Sequence, residues 1–517
     1  MGIYLNPTNQ IFKEAVNKEI YVDKSLLIDH IDYLKEKVNK YICVSRPRRF
    51  GKSTDANMLV AYYSKGCDSA SLFVHLKISQ TKHYAENLNK HHVIFMNMQN
   101  FLSMSHTLDE MLELMSEEII DELETYFHFS SRRPILSLML SKVYENTNEQ
   151  FIFIIDEWDC IFREYKTDKE AQNRYLDFLR SLLKDQPYVN LAYMTGILPI
   201  KKYGTHSALN MFKEVSMLNA TPLESFMGFT EQEVRDLCLK YDMDYHEMEQ
   251  WYDGYQMSRD ISVYNHRSVV SALIDRKYEN YWTSTETYEA LRVYIDMNFD
   301  GLRDNIIQLL SGESISVNTS KFQNDMTTFK SKDDVLTLLI HLGYLGYHAS
   351  DHTCYIPNKE VSTSFINSIE DSNWKETTKA LLNSRALLEA TWRKDEEAVA
   401  KYVAEAHLDT SILTYNNENA LSYTLAIAYI YARNHYTMMR EMTTGNGFAD
   451  IVLIPYRDKP AMIIELKWNR EAKTAIDQIK EKQYPKGLEK YQDQLLLVGI
   501  CYDKQTKKHT CTIETIH

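Results

Sequence analysis

Lys52 and Ser53, directly after Gly51, are the residues of this chain whose types best suit holding a polyphosphate. A phosphate-wrapping loop needs a small residue so that backbone N–H groups can turn toward the anion. It also needs a Lys for the outer phosphate oxygens and a hydroxyl for Mg2+. The string Ser45-Arg-Pro-Arg-Arg-Phe-Gly-Lys-Ser-Thr54 supplies these, but Arg46 stands where GxxxxGK[ST] has its first Gly. Taken alone, the string reads equally as a helix start with a solvated Lys. About 100 residues on, Phe151-Ile-Phe-Ile-Ile-Asp-Glu-Trp-Asp159 ends an apolar run in two carboxylates. A buried strand that delivers Asp156 to Mg2+ and Glu157 to an attacking water has this form. Thr195 closes a further apolar run, where it either senses a terminal phosphate or caps the strand.

The second set is Asp450, fourteen intervening residues, and Glu465-Leu-Lys467. Side chains on a strand repeat every two residues, so Glu465 and Lys467 share a face, and a hairpin turning at Pro455 to Pro460 brings Asp450 beside them. Two adjacent carboxylates repel unless a divalent cation neutralises them, which makes the group a candidate Mg2+ or Mn2+ site. Lys467 is then placed to orient or deprotonate a water. The alternative is an edge hairpin with solvated charges.

Strands alternating with helices must position the first set. Tyr41 to Val44, His92 to Met98, Phe151 to Ile155 and Val189 to Thr195 have strand length, and Leu108 to Tyr126 and Asn173 to Leu183 have helical periodicity. This order predicts an α/β parallel sheet covered on both faces. After about residue 225 the pattern changes to amphipathic helices, including Glu231 to Tyr241 and Ser268 to Arg276. A helix at Val335 to Leu342, a Gly-rich break and a hairpin through Thr353 to Ile356 suggest a winged-helix-like module, or any helix-hairpin packing unit. Trp374 to Ala406 reads as a charged helical connection. A helix at Glu418 to Arg433, strands Ala449 to Ile454 and Ala461 to Leu466, a helix at Thr474 to Lys482 and a strand at Gln494 to Ile500 follow. Three parts are expected: 1–225, 226–400 and 401–517.

At 517 residues and 44% hydrophobic positions the chain can bury several cores. Its seven scattered cysteines form no CxxC pair and read as reduced thiols, and no apolar run suits a signal peptide or membrane span. A cytoplasmic protein with no membrane partner is expected. The net charge of −14 repels nucleic acid overall, yet from Asp450 onward twelve Lys and Arg stand against ten Asp and Glu. Any nucleic-acid contact therefore needs a local patch.

Tyr21-Val-Asp-Lys-Ser25, Arg46-Pro-Arg-Arg-Phe-Gly-Lys-Ser53, Ile155-Asp-Glu-Trp-Asp159, Trp251-Tyr-Asp-Gly-Tyr255 and Val263-Tyr-Asn265 together resemble the family called AAA-ATPase-like. Its members typically write the loop RPRRFGKS or RPRRFGKT, so Arg46 is a family habit. The resemblance covers roughly residues 1 to 285 and implies a P-loop ATPase domain. Arg49, Gly51, Lys52, Ser53 and Thr54 would hold ATP, Ser53 and Asp156 would hold Mg2+, Glu157 would act in hydrolysis, and Thr195 would contact the nucleotide. From about residue 400 to 517 the Asp450, Glu465 and Lys467 pattern resembles the PD-(D/E)XK nuclease core, although Ala449 replaces the Pro before the first Asp. That resemblance implies metal ligation by Glu418, Asp450 and Glu465, catalysis by Glu465 and Lys467, and flanking roles for Gln478 and Tyr484.

The implied activity is an ATP-regulated, Mg2+- or Mn2+-dependent nuclease acting on nucleic acid, DNA ahead of RNA. The alternative is an ATP-dependent signalling or defence switch whose nuclease-like part binds nucleic acid or protein without cutting. Either is compatible with a homo-oligomer.

Overall fold

The structure, a computed structural model, describes residues 2–129, 135–200, 209–282, 291, 293–294, 301–310, 312–323, 329–370, 375–409, 425–426, 428–444, 447–455, 459–482, 488, 491, 495–506 and 508–516. The chain forms two compact units, Met1–Tyr278 with Ser316–Cys354 and Glu279–Ile315 with Tyr355–His517, so the middle region contributes to both.

In the first unit the elements are β1 (Tyr41–Ser45), α1 (Lys52–Tyr63), β2 (His92–Asn97), α2 (Leu108–Phe127), α3 (Leu136–Thr147), β3 (Phe151–Asp156), α4 (Cys160–Glu164), α5 (Lys169–Leu183), β4 (Val189–Gly196) and β5 (Lys213–Val215). The strands form one parallel sheet in the order β2-β3-β4-β1-β5. Every residue of β1 and β3 is buried, as expected for strands covered on both faces that read as continuous apolar runs. β4 lies between β1 and β3, with Thr195 opposite Val44 and Met194 opposite Ile155. The loop after β1 and the carboxylates after β3 therefore share the carboxyl edge of the sheet, where α/β folds bind ligands.

Local sequence sets the ends of these elements. Met98 opens a short helix and does not extend β2, because the Asn97 side chain accepts the Asn100 N–H and caps it. β5 has no apolar run to announce it. Beyond it come α6 (Glu231–Tyr241), which starts on a reciprocal Thr230–Glu233 capping box, and α7 (His266–Asp275). The Asn265 side chain accepts from the N–H groups of Arg267 and Ser268, each at 3.1 Å, and so starts α7. A helix at Lys332–Leu342 ends on Gly343 at φ 85°, and strands at Gly346–His348 and Thr353–Tyr355 follow in the expected order.

The second unit is built on β6 (Tyr436–Thr444), β7 (Gly447–Pro455), β8 (Ala461–Trp468), α8 (Ala472–Glu481), β9 (Leu495–Asp503) and β10 (Lys508–Ile516). The sheet runs β6-β7-β8-β9-β10, antiparallel except for β8 and β9, which α8 connects as a parallel crossover. Ile476 and Ile479 of α8 pack on Val452, Ile463 and Leu497. On the opposite face Leu387, Leu388, Val399 and Val403 pack on Ile451, Ile464 and Val498.

That second layer corrects the reading of Trp374 to Ala406 as a connection. The described part is two helices, Lys375–Trp392 and Glu396–Asp409, and Leu387, Leu388, Ala390, Val399 and Val403 on them belong to the core of this unit. The expected helix Glu418 to Arg433 begins outside the described residues, and its end is a 3-10 turn at Ile430–Asn434.

Candidate nucleotide and metal sites

The backbone of the loop between β1 and α1 turns twice through the left-handed region, at Arg49 (φ 68°) and Gly51 (φ 90°). A Cβ at Gly51 would meet nothing within 4 Å, so glycine is required there by conformation and not by space. The Lys52 ammonium donates to the carbonyls of Arg46 at 3.0 Å and Pro47 at 2.8 Å, and the side chain is only 5% exposed. Burial pushes its pKa down, against the pull of Glu157, Asp156 and Asp159. Arg46 is not among the residues that line the neighbouring cavity. It is fully buried near Tyr193 and Glu224, its Nε and Nη2 find no hydrogen-bond partner among the described residues, and burial lowers its pKa to about 10.

Asp156 is 1% exposed and accepts hydrogen bonds from the Thr195 hydroxyl and the Glu157 N–H, the latter at 3.1 Å. Glu157, at φ 54°, pairs with Arg163 of α4. The Arg163 Nε stands 3.6 Å from Asp159, whose Oδ2 accepts the N–H groups of Ile197 at 3.0 Å and Leu198 at 2.8 Å. Burial is the largest effect on Glu157 and raises its pKa, with Arg163 opposing.

Lys52, Glu157 and Arg163 open on a cavity of about 930 Å3. Six cationic side chains line it, Lys18, Arg48, Arg49, Lys52, Arg163 and Arg267, against the carboxylates Glu157 and Glu164 among the described residues. This excess of positive charge suits a nucleoside triphosphate. His266 also borders the cavity, and burial lowers its pKa to about 4, so it adds no charge at neutral pH. Arg49, Gly51, Lys52, Ser53, Thr54 and Glu157 all line the cavity. Asp156 and Thr195 do not, and the Thr195 hydroxyl is committed to Asp156. The sequence reading missed Lys18, Arg163 and Arg267. Asn265, a helix-start signal just before Arg267, and the four-residue spacing from Asp159 to Arg163 could have pointed to two of them.

In the second unit the β7–β8 register pairs Ile451 with Ile464. One residue further sets Asp450 against Glu465, and an Asp450 carboxylate oxygen accepts the Leu466 N–H at 2.8 Å. Oε1 of Glu465 accepts from Lys467 Nζ at 3.1 Å and from Gln478 of α8. Oε2 is buried without a hydrogen-bond partner among the described residues, and the side chain is 3% exposed. Burial, reinforced by Asp450, pushes the pKa up to about 7. A buried carboxylate oxygen left open beside a second carboxylate fits a hard divalent cation, which takes oxygen ligands and completes its shell with water. Among the described residues no group of three or more His, Cys, Asp or Glu side chains is placed to hold a metal ion by itself. Glu418, the expected third carboxylate, and Tyr484 lie outside them.

A parallel sheet with the Lys52 loop at its carboxyl edge, and a separate mixed sheet bearing paired carboxylates, define an α/β multidomain protein. Residues 9–205 match the AAA-ATPase-like family, described as a predicted AAA-ATPase, and residues 417–511 match the PD-(D/E)XK nuclease superfamily. The chain thus carries an AAA-ATPase-like region and a PD-(D/E)XK region, whose families generally use a nucleotide and a divalent metal.

No curated protein matches the sequence. Solved structures similar to it include C. elegans PCH-2, at 10% identity over 48% of this chain and TM-score 0.22. The chain spans 57% of the length of that protein. The Aeropyrum pernix ORC2 protein in ADPNP–ADP complexes matches at 12% identity over 69% of this chain and 97% of its own, with TM-score 0.28. The Aeropyrum pernix ORC1 protein in complex with DNA matches at 10% identity over 72% and 98%, with TM-score 0.24. Scores this low carry no functional argument. Among the described residues no helix is long and apolar enough to cross a membrane.

Proposed function

We propose that this protein is an ATP-regulated, divalent-metal-dependent nuclease. The observation that carries the reading is the buried, unpartnered Oε2 of Glu465 beside Asp450, Lys467 and Gln478. An inactive fold would be relieved of that cost by a neutral side chain. A bound Mg2+ or Mn2+ would supply charge neutralisation of the carboxylates and of a scissile phosphate. Asp450 and Glu465 would hold the ion. Lys467 would position the attacking water and Gln478 would fix the Glu465 carboxylate. In the first unit Lys52 and Ser53 would bind ATP with Mg2+, and Glu157 would orient water for hydrolysis.

The test is incubation of the purified full chain with plasmid, linear and single-stranded DNA and with RNA, in Mg2+ or Mn2+, with and without ATP. Glu465→Gln should abolish cleavage while sparing ATP binding. Lys52→Ala should abolish ATP binding and change the cleavage rate. Cleavage that survives Glu465→Gln would place the active site elsewhere. The net charge of −14 favours a second reading, a non-cutting switch. Absence of cleavage under every condition, with ATP binding intact, would support it.

A further inference from the structure

We propose that Arg163 is shared between Glu157 and the nucleotide, so that an arriving terminal phosphate captures the guanidinium and itself frees the carboxylate that orients the attacking water. This deepens the ATP-binding reading above and rests on it. Arg163 belongs to none of the motifs above, and it stands on α4 four residues after Asp159.

Arg163 has one partner that cannot leave and one that can. Asp159, 3.6 Å from the guanidinium Nε, is fully buried and tied to the backbone N–H groups of Ile197 and Leu198. Glu157, the other partner, is 24% exposed and borders the cavity, as do Arg163 and Lys52. Arg163 and Lys52 line one cavity, which puts both cations within reach of one polyphosphate.

A guanidinium binds a phosphate through the same two-pronged hydrogen bonding it offers a carboxylate, and the terminal group of a triphosphate carries more charge than Glu157. While Glu157 is paired, its oxygens are neutralised and accept poorly from water. Exchange of the pair thus couples water activation to the presence of a third phosphate, and a diphosphate at the same loop leaves the pair intact. No bond is made or broken in the exchange.

The test is a double-mutant cycle on the full chain, titrated with Mg2+ and either the imido analogue of ATP, which prevents turnover, or ADP. Glu157→Gln should tighten the triphosphate analogue by about 5- to 10-fold, in the range of coupled charged pairs, and change ADP affinity by less than about 2-fold. In an Arg163→Ala background the same change should have almost no effect, and the preference for triphosphate over diphosphate should fall about tenfold. Arg163→Lys should retain part of both effects. ADP binding by each variant reports that the loop is folded.

Equal tightening by Glu157→Gln in both backgrounds, or none in the parent, overturns the proposal. If the parent binds nucleotide and Lys52→Ala does not, an uncoupled cycle sinks only the role of Arg163. If the parent binds no nucleotide, the ATP reading fails and takes this proposal with it.

Discussion

Replacing Glu465 with glutamine should stabilise the second unit above neutral pH and leave it almost unchanged in acid, provided that no divalent metal is present. Folding raises the pKa of Glu465 from its ordinary 4.5 to about 7, through burial and the neighbouring Asp450. Between those values the folded protein holds a proton that the unfolded chain has released. Stability therefore falls as pH rises through this window and levels off above it. At 1.36 kcal/mol per pH unit the loss amounts to about 3 kcal/mol. Glutamine does not titrate and can still accept from Lys467 and Gln478 through its carbonyl oxygen.

Relative to the parent, Glu465→Gln should gain about 2–3 kcal/mol between pH 4.5 and pH 8 in EDTA. Hydrogen exchange of the β8 amides, Ala461–Trp468, reads this unit alone, which a whole-chain melt of two compact units does not. Adding Mg2+ at pH 8 should protect these amides in the parent and not in the variant, since an ion that binds only the folded state stabilises it by mass action. A variant that is equally displaced from the parent at both pH values would refute the reasoning, as would metal protection that survives the substitution.

Gly51→Ala should destabilise the first unit by about 1–2 kcal/mol, the cost of a left-handed alanine, with no steric term because its Cβ has open space; urea unfolding followed by hydrogen exchange in α1 measures this. Thr195→Val should cost about 1–3 kcal/mol by removing the donor to buried Asp156, with ATP affinity almost unchanged. A large loss of ATP affinity at unchanged stability would instead restore Thr195 as a direct nucleotide contact. Lys24→Met should cost about 1–3 kcal/mol, because the Lys24 ammonium lies 2.6 Å from Glu233 and donates to the Ser225 carbonyl at 2.7 Å, with both side chains mostly buried. Loss of exchange protection in α6 would register it.

What the sequence determined by itself was local chemistry. Gly51, Lys52 and Ser53 after a fully apolar strand, and Asp450 with Glu465 and Lys467 on a period of two, are patterns whose physics is contained within a few residues. The structure brings each set together where those patterns imply.

Tertiary structure decided everything that depends on strand order and on which face a helix buries. Because β4 inserts between β1 and β3, the Thr195 hydroxyl meets Asp156 and does not reach the cavity wall. The helices around Leu387 and Val399 read as a charged connection, yet their apolar stripe closes one face of the second sheet. β6 and β10 gain their place from pairing with β7 and β9, and no strong apolar run announced them. A pattern in sequence fixes which groups a short segment presents. What those groups meet depends on segments distant in the chain, and only packing brings them together.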